Sequence, residues 1–340
     1  MTSPSPVRPG PTPARRGEPG RDDTPSHGQG LDWARRTEVV AVVLGVLLSP
    51  LLTAAGLWYA NNQVRDQLKL GRQELNTTQE GQITDRYSKA VENLGDDAID
   101  VRLGGAYALQ RIMQDSPRDH PTIANVLATY VRTHARKPLE KNEEVPADVH
   151  AALNALIQRD TTRDDRSFTL DLQHTQLPGT DMARAKLTDA DLTAADLTES
   201  AMYATNLTNA DLRSANLNGA NMGYAKLNRA HLSGADLNDA GLMYADLNDA
   251  DLIYADLNDA DLSGAKLSSA KLNYAKLYDV DLDGSDLNKA DLRDVKGLRV
   301  GEVVSAEIYS TTLLPPNLAA DPAVKARIAE VEKEHGEGPR

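Results

Sequence analysis

Residues 235–264 read ADLNDAGLMYADLNDADLIYADLNDADLSG, a five-residue unit of the form A-D/N-L-x-x. Outward from this stretch, Leu or Met holds every fifth position from Leu172 to Leu292 without a miss, and the exceptions to Leu are Met182, Met202 and Met222. The residue two places earlier is small, usually Ala. A strict period of this length marks a solenoid. Five residues fit neither a helix nor an extended strand of period two. They fit one short extended wall and one turn, with Leu inward and the small residue beside it. Four such walls close a square coil of twenty residues, the interval at which Met182, Met202 and Met222 recur, as do Tyr224/Tyr244 and Tyr254/Tyr274. Stacked at a strand spacing of ~4.8 Å, about six coils make a rod roughly 30 Å long. Each buried Leu contributes on the order of 1.5–3 kcal/mol, so the column sustains a rod nearly devoid of aromatics.

The repeat resembles the pentapeptide-repeat family over residues 165–297. The resemblance implies a mainly β fold, a right-handed quadrilateral β-helix. That family shares no single activity, so the likeness implies a fold rather than a function.

The remaining chain divides by composition. Residues 1–38 open with PSPVRPGPTPARRGEPG and contain few apolar side chains, the mark of a disordered tail. Residues 39–60 carry no charge over a length that crosses a bilayer as a helix, with Arg35 and Arg36 before them and Trp58 and Tyr59 as an interfacial belt. Pro50 is expected to kink that helix. A cleaved signal peptide, with Ala54-Ala55-Gly56 as its exit, fits less well because the apolar stretch is long and its leader extended. A twin-arginine export signal at Arg35-Arg36 is opposed by Glu38. Orientation is a tie, since Arg21, Arg35 and Arg36 on one side balance Arg65, Lys69 and Arg72 on the other. The likeness to cytosolic pentapeptide proteins tips the expectation toward a single-pass membrane protein with a cytoplasmic rod. The absence of cysteine fits either compartment.

Residues 61–164 turn helical. Ile83, Tyr87, Ala90, Val91 and Leu94 form one stripe stopped by Gly95. Asp100 is placed to cap a second helix, and Pro121 and Pro146 fall in the first turns of two more. This stretch resembles a helical segment that precedes pentapeptide repeats in some membrane-attached bacterial proteins, and it is expected to cover the open edge of the first coil. Residues 298–340 break the period; VGEVVSAEIYSTTLLPPNL caps the last coil and ADPAVKARIAEVEKEHG forms a short polar helix and a frayed tail.

Catalytic chemistry is not legible. There is no glycine-rich phosphate loop, no H-E-x-x-H and no cysteine, so no catalytic, cofactor or metal residue is assigned. Gly28 of GQG lies in the tail, and Gly104-Gly105 fits close helix packing. His120, His134 and His150 have no carboxylate or Ser at triad-like spacing and read as surface or capping residues. His231 replaces an outward Asp or Asn.

Two faces stand out on the solenoid. From Phe168 to Lys296, 21 acidic residues face 11 basic ones, and the excess gathers on one wall: Asp196, Glu199, Asp236, Asp239, Asp256, Asp259 and Asp279, with Lys276 as its cation. In the bland reading, Asp and Asn occupy this place because they hydrogen-bond turn backbone. In the sharper one, the wall imitates duplex DNA, as in pentapeptide-repeat proteins that occupy the DNA site of a type II topoisomerase; Lys226, Lys266, Lys271 and Lys276 break the Asp columns of the solenoid. A calcium ladder lacks any defined loop. The second face, built on Met202, Met222 and Leu242, presents Ala201, Tyr203, Gly223, Tyr224, Gly241, Met243 and Tyr244 where the repeat usually supplies Asp or Asn. Tyr203, Tyr224, Met243 and Tyr244 are the candidate docking residues; the alternative is plain packing along the corners, as at Tyr254 and Tyr274. The expectation is a membrane-tethered, non-catalytic scaffold for a protein partner, with the topoisomerase-binding DNA mimic as the alternative. No direct nucleic-acid binding is expected, and self-association through a coil end would give a homodimer.

Overall fold

The computed structural model describes residues 32–140, 143–165 and 167–336. Residues 1–31, with the tail reading and Gly28, lie outside the described residues. The chain divides into two compact units, Met1–Thr77 and Thr78–Arg340.

In the first unit the described residues belong to helix α1, which extends over Asp32–Leu94. Residues 32–38, expected in the tail, are therefore helical. So are the apolar stretch and the segment after it, expected as separate pieces: no helix stop intervenes before Gly95. Pro50 stands inside α1, where it supplies no N–H donor. From Val40 onward this helix is long and apolar enough to cross a membrane.

The second unit begins with the last turns of α1 and continues through α2 (Ile99–Asp115), α3 (His120–His134) and α4 (Ala147–Ile157). Pro121 sits in the first turn of α3 as its fixed φ favours. Pro146 is instead the residue before α4, with extended ψ, and Asp100 lies inside the first turn of α2, whose flanking residue is Ala98. Gly105 marks the close approach of α2 to α1: a Cβ there would lie 2.6 Å from the backbone N of Leu94. Gly104 meets nothing within 4 Å. Leu109, Ile123, Leu127, Val149, Leu153 and Leu156 fill the space between the helices.

A buried polar triad fastens these helices. Arg102 Nε donates to Asp148 Oδ2 at 2.6 Å and lies 3.1 Å from the Tyr130 hydroxyl, which itself donates to the same carboxylate oxygen. Burial pushes the Asp148 carboxyl up, yet the bonds from Tyr130 and Arg102 outweigh it and hold the group below its ordinary value. Burial, together with the same carboxylate, pushes the Tyr130 hydroxyl up.

The solenoid follows. Parallel bridges join residues twenty apart from Asp171↔Asp191 through Lys276↔Lys296, so each coil holds twenty residues. The expected walls are shorter than strands: among the described residues each contributes one isolated bridge. The turn explains this. The N–H of each small residue bonds the carbonyl of the preceding Leu, as Ala225 to Met222 at 3.0 Å, and the residue before it takes a left-handed φ, 58° at Tyr224 and 65° at Gly219. Positive φ only at the third residue is the signature of a type II turn. Such a corner consumes four of the five residues and leaves a single one to bridge.

Backbone accounting is complete in one unit. In Ala215–Gly219, Ala215 N bonds Leu212 O at 3.0 Å, Asn216 N bonds Ala195 O at 2.9 Å, Leu217 N bonds Asp236 O at 2.7 Å and Gly219 N bonds Asn238 O at 2.8 Å. The fifth N–H, of Asn218, goes to the Asn216 side chain at 3.2 Å. Inside, the Leu and Met column and the small residues are sealed from solvent, and Thr175 and Thr180 turn their hydroxyls onto Leu172 O and Leu177 O. Ser200, equally buried, has no partner for its hydroxyl among the described residues.

Both ends are covered. Gln176 N bonds Ala135 O at the end of α3, and Arg132 pairs with Asp171. At the far end the bridges Asp286↔Glu307 and Asp291↔Leu313 slip beyond the twenty-residue interval as the chain leaves the repeat. Helices α5 (Val300–Ser305), α6 (Pro316–Ala319) and α7 (Pro322–Glu334) follow. The helix expected to be polar buries Val324 and Val331, and Glu332 accepts from Ser310 N.

Three stability outcomes follow from this packing. Ala255→Leu overfills a sealed position and lowers unfolding stability by about 1–3 kcal/mol; a neutral result in denaturant unfolding contradicts the inward assignment. Ser200→Ala removes an unpartnered hydroxyl and raises stability by about 1 kcal/mol, read the same way. Because Asp148 is held below its ordinary value, its stabilising effect is present above pH ~4 and lost as pH falls through the folded-state value. Asp148→Asn removes that part of the acid dependence in a pH series of melting curves and costs on the order of 3 kcal/mol at neutral pH.

Candidate interaction surface

The corner geometry decides which side chains reach solvent. On the acidic wall the bridging Asp196, Asn216, Asp236 and Asp256 are half-buried against their own turns, whereas Glu199, Asp239, Asp259 and Asp279 at the corners are exposed. Seven carboxylates expected on one wall therefore divide into two kinds. Asp196, Asp236 and Asp256 are bridging residues whose Oδ1 atoms accept from Thr198 N at 3.1 Å, Asn238 N at 3.1 Å and Asn258 N at 3.4 Å. Their remaining charge is partly met: Lys276 Nζ lies 2.6 Å from Asp256 Oδ2, and Asp256 holds that ammonium above its ordinary value. Glu199, Asp239, Asp259 and Asp279 are exposed corner residues in left-handed conformation. Arg299 reaches Asp279 at 2.6 Å, and among the described residues no cation pairs with Glu199, Asp239 or Asp259. Gly219 interrupts that column between Glu199 and Asp239, and a Cβ there would meet Glu199 Cγ at 3.4 Å.

Tyr203, Tyr224 and Tyr244 lie side by side on successive coils. Ring centroids of Tyr203 and Tyr224 lie 5.5 Å apart, and those of Tyr224 and Tyr244 5.1 Å, close to one coil step. Tyr203 is 41% exposed and Tyr244 52%, with Met243 beside them at 42%. Tyr244 leans onto the next coil, where Gly264 combines φ 63° with a position at which a Cβ would fall 2.4 Å from the ring. No other residue fits there without moving the ring. Ala201 and Gly241 replace the usual Asp or Asn, so nothing local accepts from the next N–H. Among the described residues the amides of Tyr203 and Met243 find no acceptor, whereas Gly223 N bonds Asn221 Oδ1 at 3.3 Å. Tyr254 and Tyr274 on another corner stack at 5.0 Å and 13°, nearer to parallel than the tilted Tyr203–Tyr224 and Tyr224–Tyr244 pairs, so ring contact alone does not distinguish a docking face. What distinguishes it is the absence of charge from Ala201 to Met243 along the wall.

His120 departs from the surface or capping role expected of the three histidines. His120 is buried, and its Nε2 lies 3.0 Å from Asp164 Oδ1, a carboxylate brought from forty-four residues away. Arg159 Nη2 also holds Asp164, at 2.9 Å. A shallow hollow lined by Met113, His120, Arg159 and Arg163 adjoins this cluster, but both arginines are already engaged, Arg163 with Asp160 and Gln114 O. The cluster ties α3 to the segment entering the first coil. His134 stacks on Tyr130 at 4.0 Å, and His231 is exposed. Among the described residues no group of three His, Cys, Asp or Glu is arranged to hold a metal.

The pentapeptide repeats family model matches in eight copies, over residues 171–202, 205–242, 245–284 and 260–296. Among curated proteins none matches the chain. Among solved structures, QnrB1, a plasmid-mediated fluoroquinolone resistance protein, is 16% identical over 50% of this chain and 84% of its own, with a TM-score of 0.35. A pentapeptide repeat protein of the Arabidopsis thaliana thylakoid lumen is 32% identical over 33% of this chain and 74% of its own, with a TM-score of 0.23. HetL, involved in heterocyst differentiation regulation in Nostoc sp. strain PCC 7120, is 27% identical over 39% and 81%, with a TM-score of 0.13. None of these likenesses brings a function with it. Through residues 171–296, the chain belongs to the pentapeptide-repeat family.

Proposed function

We propose that this protein is a membrane-tethered, non-catalytic scaffold whose repeat domain binds a protein partner through the face of Tyr203, Tyr224, Met243 and Tyr244. The observation that carries the reading is that uncharged wall: adjoining tilted rings, an exposed Met and two of the solenoid's open main-chain donors, on an otherwise charged surface. Such a patch loses water cheaply and offers hydrogen-bond donors at fixed spacing. The apolar part of α1 supports the tether, and the rod is assigned to the cytoplasmic side. The helical segment 61–164 and residues 298–340 serve as caps of the repeat domain 165–297.

The DNA-mimic alternative rests on Glu199, Asp239, Asp259 and Asp279. It has less support, because Asp196, Asp236 and Asp256 are engaged by their own turns and Lys276 and Arg299 neutralise part of the wall. A homodimer through a coil end would require the covering segments to move.

Proximity labelling in cells, with the labelling enzyme fused after Arg340, separates the readings. The scaffold predicts membrane or envelope neighbours that disappear with Tyr224→Lys plus Tyr244→Lys while the melting curve is kept. A neighbour set of topoisomerase subunits, unchanged by that double variant, would replace it with the mimic. Alkaline carbonate washing tests the tether: the protein stays in the membrane pellet, and its release would remove the anchor from the proposal.

A further inference from the structure

We infer that the helix following the apolar span pairs with a second copy of itself, as a short parallel coiled coil over residues 57–75. Leu57, Asn61, Val64, Leu68, Gly71 and Leu75 recur at alternating intervals of four and three along α1. At about 100° per residue, that spacing sets them on one narrow stripe roughly 80° wide. Leu57, Val64, Leu68 and Leu75 are 67%, 53%, 59% and 63% exposed, so no element of the described chain covers the stripe. From Asn62 on, the residues between are polar or charged at Asn62, Gln63, Arg65, Asp66, Gln67, Lys69, Arg72, Gln73 and Glu74; the large apolar side chains off the seam are Leu70 and, at the end next to the apolar span, Trp58 and Tyr59.

The pattern itself names the occupant. A 3.5-residue apolar period fits a helix of the same period, because only such a partner keeps the seam in register along its length. Continuity with the span fixes direction. Copies inserted in one membrane share an orientation, so their juxtamembrane helices meet in parallel and at the same height. In that register like residues face one another: Leu68 meets Leu68, Asn61 meets Asn61 and Gly71 meets Gly71. An Asn at such a position pairs with its own copy across a parallel two-stranded seam and disfavours other registers. Gly71 leaves the two backbones free to approach. Gln67 falls opposite Arg72 of the second copy, a neutral acceptor against a cation. The parallel direction rests on the membrane reading above; the periodic seam does not. The consequence is a paired molecule, with two tyrosine faces held on one short stalk.

The chain has no cysteine, so an introduced one reports without background. Single substitutions from Asn62→Cys to Leu75→Cys are made in the full-length protein, oxidised in membranes, and the disulfide dimer is measured on non-reducing gels. The expected profile peaks at Val64→Cys, Leu68→Cys, Gly71→Cys and Leu75→Cys, with yields several-fold above Asp66→Cys, Leu70→Cys and Gln73→Cys. A flat profile, or no dimer at any position, overturns the pairing. One isolated maximum in mid-stripe would show an antiparallel crossing and overturn it equally. Release of the protein by carbonate would defeat the tether while leaving the periodic profile to stand or fall by itself.

Discussion

Main-chain hydrogen bonding between coils is the constraint on which the rest of the solenoid depends. Each wall contributes one bridging residue, so no strand exists to hold a register by its length. Register is held instead by the repetition of one closed hydrogen-bond scheme, in which every N–H of a unit such as Ala215–Gly219 has an acceptor. The coil spacing this imposes fixes the interior: one Leu and one small side chain per wall, with no room for a ring. It also fixes much of the exterior. The fifth N–H has no main-chain acceptor, and where the bridging residue is Asp or Asn its side chain supplies one with the shortest reach. Acidic character is thus first a consequence of backbone satisfaction, and only the corner carboxylates are free to say anything about partners.

The sequence carried the period, the inward column and the stacked tyrosines because each follows from spacing of twenty along the chain. The limits of legibility have equally specific causes. A five-residue period does not reveal whether the extended part of a wall is one residue or three; that depends on the four-residue closure of the corner. The bond between His120 and Asp164 depends on how α3 meets the segment before the first coil, and nothing at positions 120 or 164 announces it. Tyr130, Asp148 and Arg102 come from three helices, and no local spacing links them. Helix α1 runs through residue 38 because helix propensity and apolar continuity carry across it without a breaker.

The left-handed corners pose an energetic question that bears on function. A non-glycine residue in this conformation costs about 1–2 kcal/mol, and a bulky one is unusual. Asp, Asn and Gly fill many corners, as their backbones allow. Tyr224, Tyr244, Tyr254 and Tyr274 are among the least suited residues to such positions. Stacking on the neighbouring coil contributes roughly 0.5–1.5 kcal/mol per pair, which offsets much of the local cost and leaves the rings exposed. Aromatic corners therefore hold the fold together no better than the Asp or Gly corners beside them.

That balance moves the functional argument away from the rings and onto their surroundings. Tyr254 and Tyr274 stand among Asp251, Lys271, Asp256 and Lys276, where any partner must also displace hydrated charge. Tyr203, Tyr224 and Tyr244 stand on a wall where Ala201, Gly223, Gly241 and Met243 have taken the polar positions. Replacing Asp by Ala or Gly at a bridging position gives up a turn hydrogen bond without improving the core, and the freed amides of Tyr203 and Met243 face outward. Among the described residues the equivalent amides of Thr188, Asn228, Ser233 and Asn273 are open as well, on walls that carry charge, so what sets this wall apart is its missing charge. Exposed rings on an uncharged wall are the combination on which the proposed docking rests.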